Sequence, residues 1–372
     1  MTVIVHVTSV HSPDDVRIFQ KECRSIAEAG YRVILVAPDA TEGAVDGVEL
    51  VRLRRPPNRL RRMVAGAWSA WRAAARHDAD VFHFHDPELL PGGLLLALRG
   101  RRVVYDAHEE VGADLIDRDY LPRWILRVVA PLVGSFELAV ARRVSAVVAA
   151  TPAIARRHRG ARRTILVANY PRFADFAEAY ANPIPHRARP CHIAYVGLIS
   201  RERGCREMLD ALELVRDTGV RLQLAGRFDS PALEEEARSH SAWNIVDYHG
   251  TIPHAEVRRL LSETRAGLVL FLPGPNHMEA QPNKLFEYMA SGLPVIASHF
   301  PRWIELVVET RAGVVADPTS ASAIANAIRI ILADPDAAEA MGRRGMQAVE
   351  ASYNWERQAE ALLAGYAEIL RA

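Results

Sequence analysis

The sequence predicts an α/β protein made of two domains, each a doubly wound parallel sheet. The chain has 372 residues, more than one domain usually contains. Short runs rich in β-branched residues alternate with helical patterns, and this alternation is typical of a parallel sheet covered on both faces. It is interrupted once, over 171–190, by four prolines without a clear period. The predicted domains are therefore 1–170 and 191–352, with a linker over 171–190.

The N-terminal half alternates strands and helices in the order that a doubly wound sheet requires. Predicted strands cover 3–8, 32–37, 48–53, 81–84, 103–105 and 146–149, and predicted helices cover 14–29, 59–77, 88–98 and 122–143. Gly30 follows the first helix at the position where a left-handed residue commonly ends a helix. The pattern predicts one complete sheet in this half.

The alternation restarts after the linker and predicts a second sheet. Predicted strands cover 192–196, 221–225, 245–248, 267–272, 294–297 and 313–316, and predicted helices cover 203–217, 231–239, 283–291, 319–332, 337–351 and 355–370. Ligands of such sheets bind at the carboxyl ends of the strands. With two sheets in one chain, we expect the binding site in a cleft between the halves.

Composition excludes several classes of protein. The chain has 46 basic and 45 acidic residues, a formal net charge of +1, which argues against a broad nucleic-acid-binding surface. Cys23, Cys191 and Cys205 are widely spaced, so we expect a reducing cytosol and neither a disulfide framework nor a zinc knuckle. The N-terminus lacks the basic and long apolar regions of a signal peptide. A cytoplasmic protein is expected, and its oligomeric state stays open.

One apolar segment, 121–141, raises the question of a membrane. Arg123, Arg127 and Glu137 interrupt it, and no run in the chain reaches 18 uncharged apolar residues. We therefore interpret it as an amphipathic or buried helix rather than a membrane span. Peripheral contact of this helix with the inner membrane surface is kept as an alternative.

The most informative stretch is M-E-A-Q-P-N-K-L-F-E-Y-M-A-S-G-L-P-V-I-A-S over 278–298. Pro282 stands where a helix begins, and Lys284 lies in the first turn of that helix. A cation there is unfavourable for the helix dipole unless an anion shares the site. Glu287, three residues later, faces the same side. The arrangement suits a diphosphate beside a diol; the alternative is an ordinary surface ion pair.

This stretch also resembles a known signature. Glu279 and Glu287 are separated by seven residues, and the whole string is similar to the E-x7-E signature of retaining GT-B glycosyltransferases, in particular glycosyltransferase family four. The resemblance covers nearly the whole chain and implies a GT-B fold, in which two Rossmann-like domains face each other across a cleft. It further implies that the first domain binds the acceptor, the second binds a nucleotide-sugar, and a last helix over 353–372 crosses back. A bacterial source is expected.

The resemblance extends to Y-V-G-L-I-S-R-E-R-G over 195–204. Arg203 takes the place of a family lysine that holds the donor diphosphate, and a guanidinium suits a phosphate because it can bind in a bidentate manner. Leu198 departs from the family by replacing an arginine, and we expect Arg201 to supply the missing charge. The donor-binding residues implied in this way are Gly197, Arg201, Arg203, Arg227, Ile252, Glu279, Pro282, Asn283, Lys284, Leu285 and Glu287.

The acceptor side is implied by the N-terminal half. His108 resembles the family histidine that contacts the transferred sugar, and His85 and Asp86 lie in a neighbouring loop. Asp14 and Arg17 resemble a subgroup whose first loop reads D-x-R-I-F-x-K-E. The acceptor-binding residues implied are thus Asp14, Arg17, His85 and Asp86, with helix capping as the alternative for Asp14 and Asp86.

The resemblance implies transfer of a hexose-type sugar from a nucleoside-diphosphate sugar to an acceptor hydroxyl, with retention. The catalytic residues implied are His108, Glu279, Arg203 and Lys284; the cations stabilise the leaving diphosphate and Glu279 holds sugar hydroxyls. The acceptor class stays open among a polysaccharide, a lipid-linked precursor and a small natural product. We expect no metal, no cofactor and no nucleic acid.

Other readings of the sequence stay open. A GT-B epimerase or phosphorylase, or a non-catalytic subunit, is compatible with the same fold. A metal-dependent hydrolase would use His83, His85, Asp86 and His108, whose residue types suit zinc. The D-P-D string over 334–336 lies between two late helices, where Asp and Pro commonly cap and break helices.

Overall fold

The computed structural model describes residues 1–55, 61–108, 123–278 and 280–372. The chain divides into two compact units. Unit 1 consists of Met1–Asn169 together with Trp355–Ala372, and unit 2 consists of Tyr170–Asn354.

The described part of unit 1 contains one sheet of eight strands in the order β3-β4-β2-β1-β5-β6-β7-β8. The strands are β1 (Val3–Val7), β2 (Arg32–Pro38), β3 (Gly43–Val45), β4 (Val48–Leu53), β5 (Val81–Phe84), β6 (Val103–Ala107), β7 (Ala146–Ala149) and β8 (Thr164–Leu166). Val5 of β1 pairs with Ile34 on one side and Phe82 on the other, both in parallel register. The strand order therefore reverses at β1, which is where such sheets bind ligands.

Helices cover both faces of this sheet. They are α1 (Arg24–Glu28), which continues a π-helix over Val16–Cys23, α2 (Ala67–Ala74), preceded by a π-helical turn over Arg62–Gly66, α3 (Leu90–Leu98), preceded by a 3₁₀ turn over Pro87–Leu89, α4 (Arg123–Ala141) and α5 (Pro152–Arg157). Trp71, Leu90 and Val140 pack α2, α3 and α4 on one face, against residues such as Phe84. Successive side chains of β1 and β5 point to opposite faces of the sheet, so each strand contributes residues to the core on each face.

The other face is covered by α1 and by the last helix of the chain. Tyr366 of that helix, Trp355–Arg371, is buried beside Ile4 and Val104. The indole nitrogen of Trp355 donates a hydrogen bond to Ser25 Oγ at 2.8 Å. The last helix is therefore part of unit 1, although it follows unit 2 in the chain.

The described part of unit 2 contains a six-stranded parallel sheet in the order β11-β10-β9-β12-β13-β14. Its strands are β9 (His192–Val196), β10 (Arg221–Ala225), β11 (Val246–Gly250), β12 (Ala266–Val269), β13 (Val295–Ser298) and β14 (Gly313–Ala316). The order reverses at β9, so the crevice beside the carboxyl end of β9 is the expected ligand position.

The remaining helices are α6 (Ala177–Ala181), α7 (Cys205–Leu214), α8 (Pro231–Ser239), α9 (His254–Ser262), α10 (Pro275–Met278), α11 (Asn283–Ala290), α12 (Pro301–Thr310), α13 (Ala321–Ala333), α14 (Pro335–Ala351) and α15 (Trp355–Arg371). Short 3₁₀ turns lie at Phe173–Phe176, His186–Ala188, Arg216–Thr218 and Ser241–Ile245. Asp334 caps α14 by accepting from the amides of Asp336 and Ala337. The D-P-D string therefore begins a helix, as its residue types predict.

The structure differs from the sequence prediction in several places. The segment 171–190 is not a separate linker: Phe176 is buried in the core of unit 2, and the Arg189 guanidinium donates to the Thr264 carbonyl at 3.0 Å. Five of the helices, α5, α6, α9, α10 and α12, were not predicted. Strand β3 runs antiparallel to β4, so the first sheet is mixed at one edge.

Candidate functional site

A cavity of about 580 Å³ lies in unit 2 at the carboxyl edge of its sheet. Its walls come from the loops that follow β9, β10, β11 and β12 and from the beginning of α11. The lining residues are Val196, Gly197, Arg203, Ala225, Gly226, Thr251, Ile252, His254, Val257, Phe271, Ala280, Gln281, Pro282, Asn283, Lys284 and Glu287. This is the crevice that the reversal of strand order at β9 predicts.

Lys284 is the most unusual residue of this cavity. Only 7% of the residue is exposed, yet among the described residues its Nζ has no hydrogen-bond partner. Burial lowers the pKa of Lys284 well below its usual value; Arg203 lowers it further, and Glu287 raises it. A buried cation without a hydrogen-bonded partner is costly. The site is thus arranged for a negatively charged ligand.

The ammonium group of Lys284 lies close to the faces of two aromatic rings. Lys284 Nζ lies 3.6 Å from the centre of the Tyr195 ring and 5.9 Å from that of Phe271. The Arg203 guanidinium carbon lies 5.2 Å from the Phe271 ring centre. The two cations therefore approach each other over a shared aromatic surface, which offsets part of their repulsion.

The beginning of α11 adds a second positive element. Pro282 precedes the helix in an extended conformation, and the described residues provide no side chain that caps it. The first amide groups of a helix carry a partial positive charge, so they favour an anion next to Lys284. Glu287 lines the cavity one turn further along, on the same side of the helix.

Two glycines keep the floor of the cavity open. Gly197 and Gly226 adopt φ of +120° and +136°, which other residues rarely adopt. A Cβ on Gly226 would lie 1.9 Å from the Gly197 carbonyl oxygen, and one on Gly197 would lie 3.3 Å from Lys284 Nζ. The Tyr288 hydroxyl accepts from the Val196 amide at 2.8 Å and holds this loop against α11.

The cavity brings together seven of the predicted donor-binding residues: Gly197, Arg203, Ile252, Pro282, Asn283, Lys284 and Glu287. Their binding roles stay predictions. Glu279 lies outside the described residues. Three other predicted donor-binding residues, Arg201, Arg227 and Leu285, do not line the cavity, and their contacts explain why.

Arg201 was expected to supply the charge missing at Leu198, but its guanidinium donates to the Glu236 carboxylate outside the cavity. Arg227 is exposed, and its carbonyl accepts from the Ile199 amide. Leu285 is buried in the core of unit 2, and its amide already donates to the Pro282 carbonyl at 3.0 Å. The structure therefore leaves Arg203 and Lys284 as the two cations of this cavity among the described residues.

Unit 1 holds a buried polar network at the carboxyl edge of its own sheet. The ring of His108 stacks on that of His85 at 5.5 Å between centres, and His108 Nδ1 lies 3.4 Å from Asp106 Oδ1. Burial lowers the pKa of His108 to about 3, although Asp106 opposes this. His108 is therefore neutral near pH 7.

Arg17 belongs to this network. Its guanidinium donates to both carboxylate oxygens of Asp106, at 2.9 and 3.2 Å, and to the Val167 carbonyl at 2.9 Å. It also lies 3.0 Å from Glu22 Oε1. Burial alone would raise the pKa of Asp106, but Arg17 and the neighbouring histidines hold it well below its usual value. With its nitrogens committed in this way, Arg17 is a structural residue rather than a free contact for an acceptor.

The capping alternatives for two acidic residues are wrong. Asp15, not Asp14, caps the first helix by accepting from the amides of Arg17 and Ile18 at 2.9 Å, and Asp14 is exposed. Asp86 precedes its helix without capping it. Its carboxylate instead accepts from Thr8 Oγ1 at 2.8 Å and from the Ser9 amide at 2.6 Å, which joins the loops after β1 and β5. A role of Asp14 or Asp86 toward an acceptor stays a prediction.

Among the described residues of unit 1, two groups of side chains come close enough to share a metal ion: His6, Glu22, His83 and His85, and His85, Asp106 and His108. Neither group is the set His83, His85, Asp86 and His108, because Asp86 faces the Thr8–Ser9 loop instead. Both carboxylates, Glu22 and Asp106, already contact the Arg17 guanidinium. These contacts disfavour the metal-dependent hydrolase reading, since a cation would compete with Arg17.

Several residues of the cavity in unit 2 and of the polar network in unit 1 were not predicted from the sequence. Nothing in the sequence marks Tyr195, Tyr288 and Phe271 as site residues. Their contacts with Lys284, Val196 and Arg203 place them there. Asp106 carried a usable signal, because it is an acidic residue at the end of a buried strand.

Comparisons with known proteins agree with this architecture. The family described as "Glycosyl transferase 4-like domain" matches residues 16–169, and the family described as "Glycosyl transferases group 1" matches residues 178–348. A glycogen synthase of Mycobacterium tuberculosis is 29% identical over 178 residues, 47% of this chain and 42% of that protein. A D-inositol 3-phosphate glycosyltransferase of Segniliparus rotundus is 30% identical over 183 residues, 48% of this chain and 40% of that protein. The matches thus span less than half the length of these curated relatives.

Solved structures share the fold over the full chain. A sucrose-phosphate synthase from Thermosynechococcus elongatus superposes with a TM-score of 0.76 at 20% identity, covering 100% of both chains. Anabaena HepE in complex with UDP-glucose superposes with a TM-score of 0.72 at 15% identity, covering 99% of this chain and 100% of that one.

The two sheets and these matches define the class of the protein, which is that of the GT-B glycosyltransferases. Within that class, the chain belongs to the family-four type. Among the described residues, no helix combines the length and apolar character needed to cross a bilayer.

Proposed function

We propose that the protein transfers a hexose-type sugar from a nucleoside-diphosphate sugar to an acceptor hydroxyl, with retention at the anomeric carbon and without a metal ion. The observation that carries the proposal is the pair Lys284 and Arg203 in the cavity of unit 2, beside the beginning of α11. A nucleoside diphosphate supplies the negative charge that this arrangement lacks.

The same groups explain how the reaction would be accelerated. Cleavage of the sugar–phosphate bond leaves negative charge on the diphosphate, and fixed cations stabilise that charge without reorganising. Lys284, Arg203 and the first amides of α11 are the groups proposed for this task. Glu287 is proposed to accept hydrogen bonds from the ribose hydroxyls.

Retention and the absence of a metal ion rest on the E-x7-E resemblance formed by Glu279 and Glu287. In this scheme Glu279 holds sugar hydroxyls and does not attack the anomeric carbon. His108 of unit 1 is proposed to contact the transferred sugar as a neutral imidazole, as its lowered pKa favours. The acceptor class stays open among a polysaccharide, a lipid-linked precursor and a small natural product.

The first donor to test is UDP-glucose, because a solved structure of similar fold contains it. The protein is also proposed to work in a reducing cytosol, in keeping with three unpaired cysteines. Each of these finer points is open to a separate measurement.

Turnover tests the proposal against its alternatives. The purified chain is incubated with a panel of nucleotide-sugars, with and without a panel of hydroxyl acceptors, and free nucleoside diphosphate is measured. We expect release that depends on the acceptor, and an unchanged rate after treatment with a chelator. An epimerase would convert the nucleotide-sugar without any acceptor, and a non-catalytic subunit would bind a donor without turnover.

The stereochemistry is read separately. The anomeric configuration of the product, determined by NMR, is expected to equal that of the donor sugar. An inverted product would contradict retention while leaving the transferase proposal intact.

A further inference from the structure

We propose that unit 1 binds to the surface of an anionic membrane through the outward sides of α2, α3 and α4. We call this surface the outer helical face and define it by six exposed apolar residues: Trp68, Leu95, Leu98, Val128, Leu132 and Phe136. The inference does not rest on the proposed glycosyl transfer, because binding to a membrane is measured without turnover.

The apolar side chains of this face are strongly exposed. Trp68 is 62% exposed, Leu98 63%, Val128 60% and Leu132 65%. Single exposed apolar residues are common on soluble proteins, but a group of large ones on adjacent helices marks an interaction site.

The six residues point away from the sheet because the opposite sides of their helices are buried. On α4, Leu126, Ala130 and Val140 are at most 2% exposed, whereas Val128 and Leu132 lie between them on the outer side. A side chain two positions from a buried one lies roughly opposite to it on a helix. The spacing of Val128, Leu132 and Phe136, four residues apart, forms one outer stripe.

The three helices are neighbours. The Trp71 indole nitrogen on α2 donates to the Leu89 carbonyl, directly before α3, at 3.0 Å. A Cβ on Gly92 of α3 would lie 2.1 Å from the Trp71 ring, so these helices are in close contact. Helices α3 and α4 also contact each other. The apolar residues therefore share one surface.

The charge of this surface is one-sided. The segments 61–77, 87–102 and 123–143 contain eleven arginines, no lysine and two acidic residues, in a chain whose net charge is +1. One of the two acids, Glu137, is fully buried and accepts from the Tyr105 hydroxyl, and the other, Glu88, is half-buried. Arg101, one of the exposed arginines, pairs with Asp78. Eight of the arginines are fully described and exposed: Arg61, Arg72, Arg76, Arg99, Arg101, Arg127, Arg142 and Arg143.

Basic residues around exposed aliphatic and aromatic side chains fit an anionic lipid surface. The guanidinium groups are attracted by lipid phosphates, while the apolar side chains enter the headgroup and acyl boundary. A nucleic acid would instead require polar or stacking contacts where Leu95, Val128 and Leu132 stand. The proposed membrane-binding surface is broader than a single amphipathic helix, because α2 and α3 together provide as many of the six exposed apolar residues as α4 does.

Sedimentation with lipid vesicles tests the proposal on the full chain. We expect binding to vesicles that contain phosphatidylglycerol, at least about fivefold weaker binding to pure phosphatidylcholine, and loss of the difference at high salt. Replacing Val128 and Leu132 together by serine is expected to weaken binding at least about fivefold. Arg99→Glu combined with Arg127→Glu is expected to do the same.

Matched controls come from unit 2. Val308→Ser combined with Ile330→Ser replaces two apolar residues that are also exposed, and Arg343→Glu reverses an exposed cation. These variants are expected to bind vesicles like the original chain, and circular dichroism confirms that every variant is folded. Brominated lipids report depth, since they quench nearby tryptophans. Trp68→Phe is expected to remove most of that quenching, and Trp243→Phe in unit 2 to leave it.

Several results would overturn the proposal. Equal binding to both kinds of vesicle, no binding to either, or equal losses in the unit 2 controls would each do so. Tight binding to a duplex RNA oligonucleotide that survives the serine substitutions would assign the arginines to nucleic acid instead.

Discussion

Lys284 Nζ lies 3.6 Å from the centre of the Tyr195 ring, and the described residues offer it no hydrogen-bond acceptor. The ring face attracts a cation, but it cannot replace the water that the ammonium group loses on burial. Lys284 is therefore held where a bound anion would supply the partner that its ammonium group lacks. This relationship ties the fold of unit 2 to the proposed diphosphate site.

Binding of a nucleoside diphosphate is expected to take up protons. Burial and Arg203 lower the pKa of Lys284 in the free protein, and a diphosphate beside the ammonium group will raise it again. Between those two pKa values, the complex holds more protons than the free protein, so affinity falls as the pH rises through this range. Calorimetry in buffers of different ionisation enthalpy measures the uptake. The same proton count for Lys284→Met and for the original chain would contradict this origin.

Gly226→Ala is expected to destabilise unit 2 by about 2 kcal/mol or more, because its Cβ would meet the Gly197 carbonyl oxygen at 1.9 Å. Gly219→Ala is the matched control. Gly219 also has a positive φ, +70°, but a Cβ there meets nothing within 4 Å. Gly219→Ala should lower the free energy of unfolding by only about 1 kcal/mol, which is the strain of a non-glycine residue in the left-handed region. Urea denaturation compares the two, and equal losses would show that the contact with Gly197 is unimportant.

Arg17→Met is expected to cost unit 1 about 3–5 kcal/mol of stability, because it leaves the Asp106 carboxylate buried without its cation. The original chain and Asp15→Ala serve for comparison. Asp15→Ala removes a helix cap and should cost about 1 kcal/mol. Thermal unfolding measures both variants. A stable Arg17→Met protein with a raised KM for the acceptor would restore the predicted acceptor-binding role of Arg17.

Unit 1 is expected to lose stability as the pH falls below about 6.5. Burial lowers the pKa of His6, His83 and His108 in the folded state, so the unfolded chain binds more protons in this range. Each histidine can contribute a slope of up to about 1.4 kcal/mol per pH unit. Glu22 acts in the opposite direction above about pH 4.5, because burial raises its pKa.

Urea titrations at a series of pH values, read by pulsed hydrogen exchange, measure this dependence in peptides from β1 and β5. His83→Phe is expected to reduce the slope by removing one of the three groups. A stability of unit 1 that stays constant from neutral pH to about pH 5 would contradict the prediction.

The sequence predicted the sheets well because their signals are local. Runs such as 32–37 and 146–149 are apolar and β-branched, and burial on both faces leaves few other structures open to them. The helices α5, α6, α9, α10 and α12 were not predicted because they are short or begin without a strong periodic pattern. The prolines of the segment 171–190 predict a linker, whereas long-range packing of Phe176 places it in the core of unit 2.

The candidate site was predictable where chemistry follows from position along one element. Lys284 and Glu287 share a side of a helix whose start is marked by Pro282, so their convergence could be foreseen. Arg203 and Arg201 are both predicted to bind the donor, for different reasons, and only the contact of Arg201 with Glu236 shows that its guanidinium lies outside the cavity. Likewise, nothing in the first loop shows that Arg17 reaches Asp106, 89 residues away.

The most direct test of the central claim is the affinity of the chain for UDP, measured by isothermal titration calorimetry on Lys284→Met, Arg203→Met and Arg201→Met. Loss of a charge-assisted contact costs about 1.5–3 kcal/mol, so the first two variants should raise the Kd roughly ten- to hundredfold. Arg201→Met removes an equal charge outside the cavity and should leave the Kd within about twofold. Unchanged UDP binding in Lys284→Met and Arg203→Met, or an equal loss in Arg201→Met, would contradict the assignment of this cavity to the donor diphosphate.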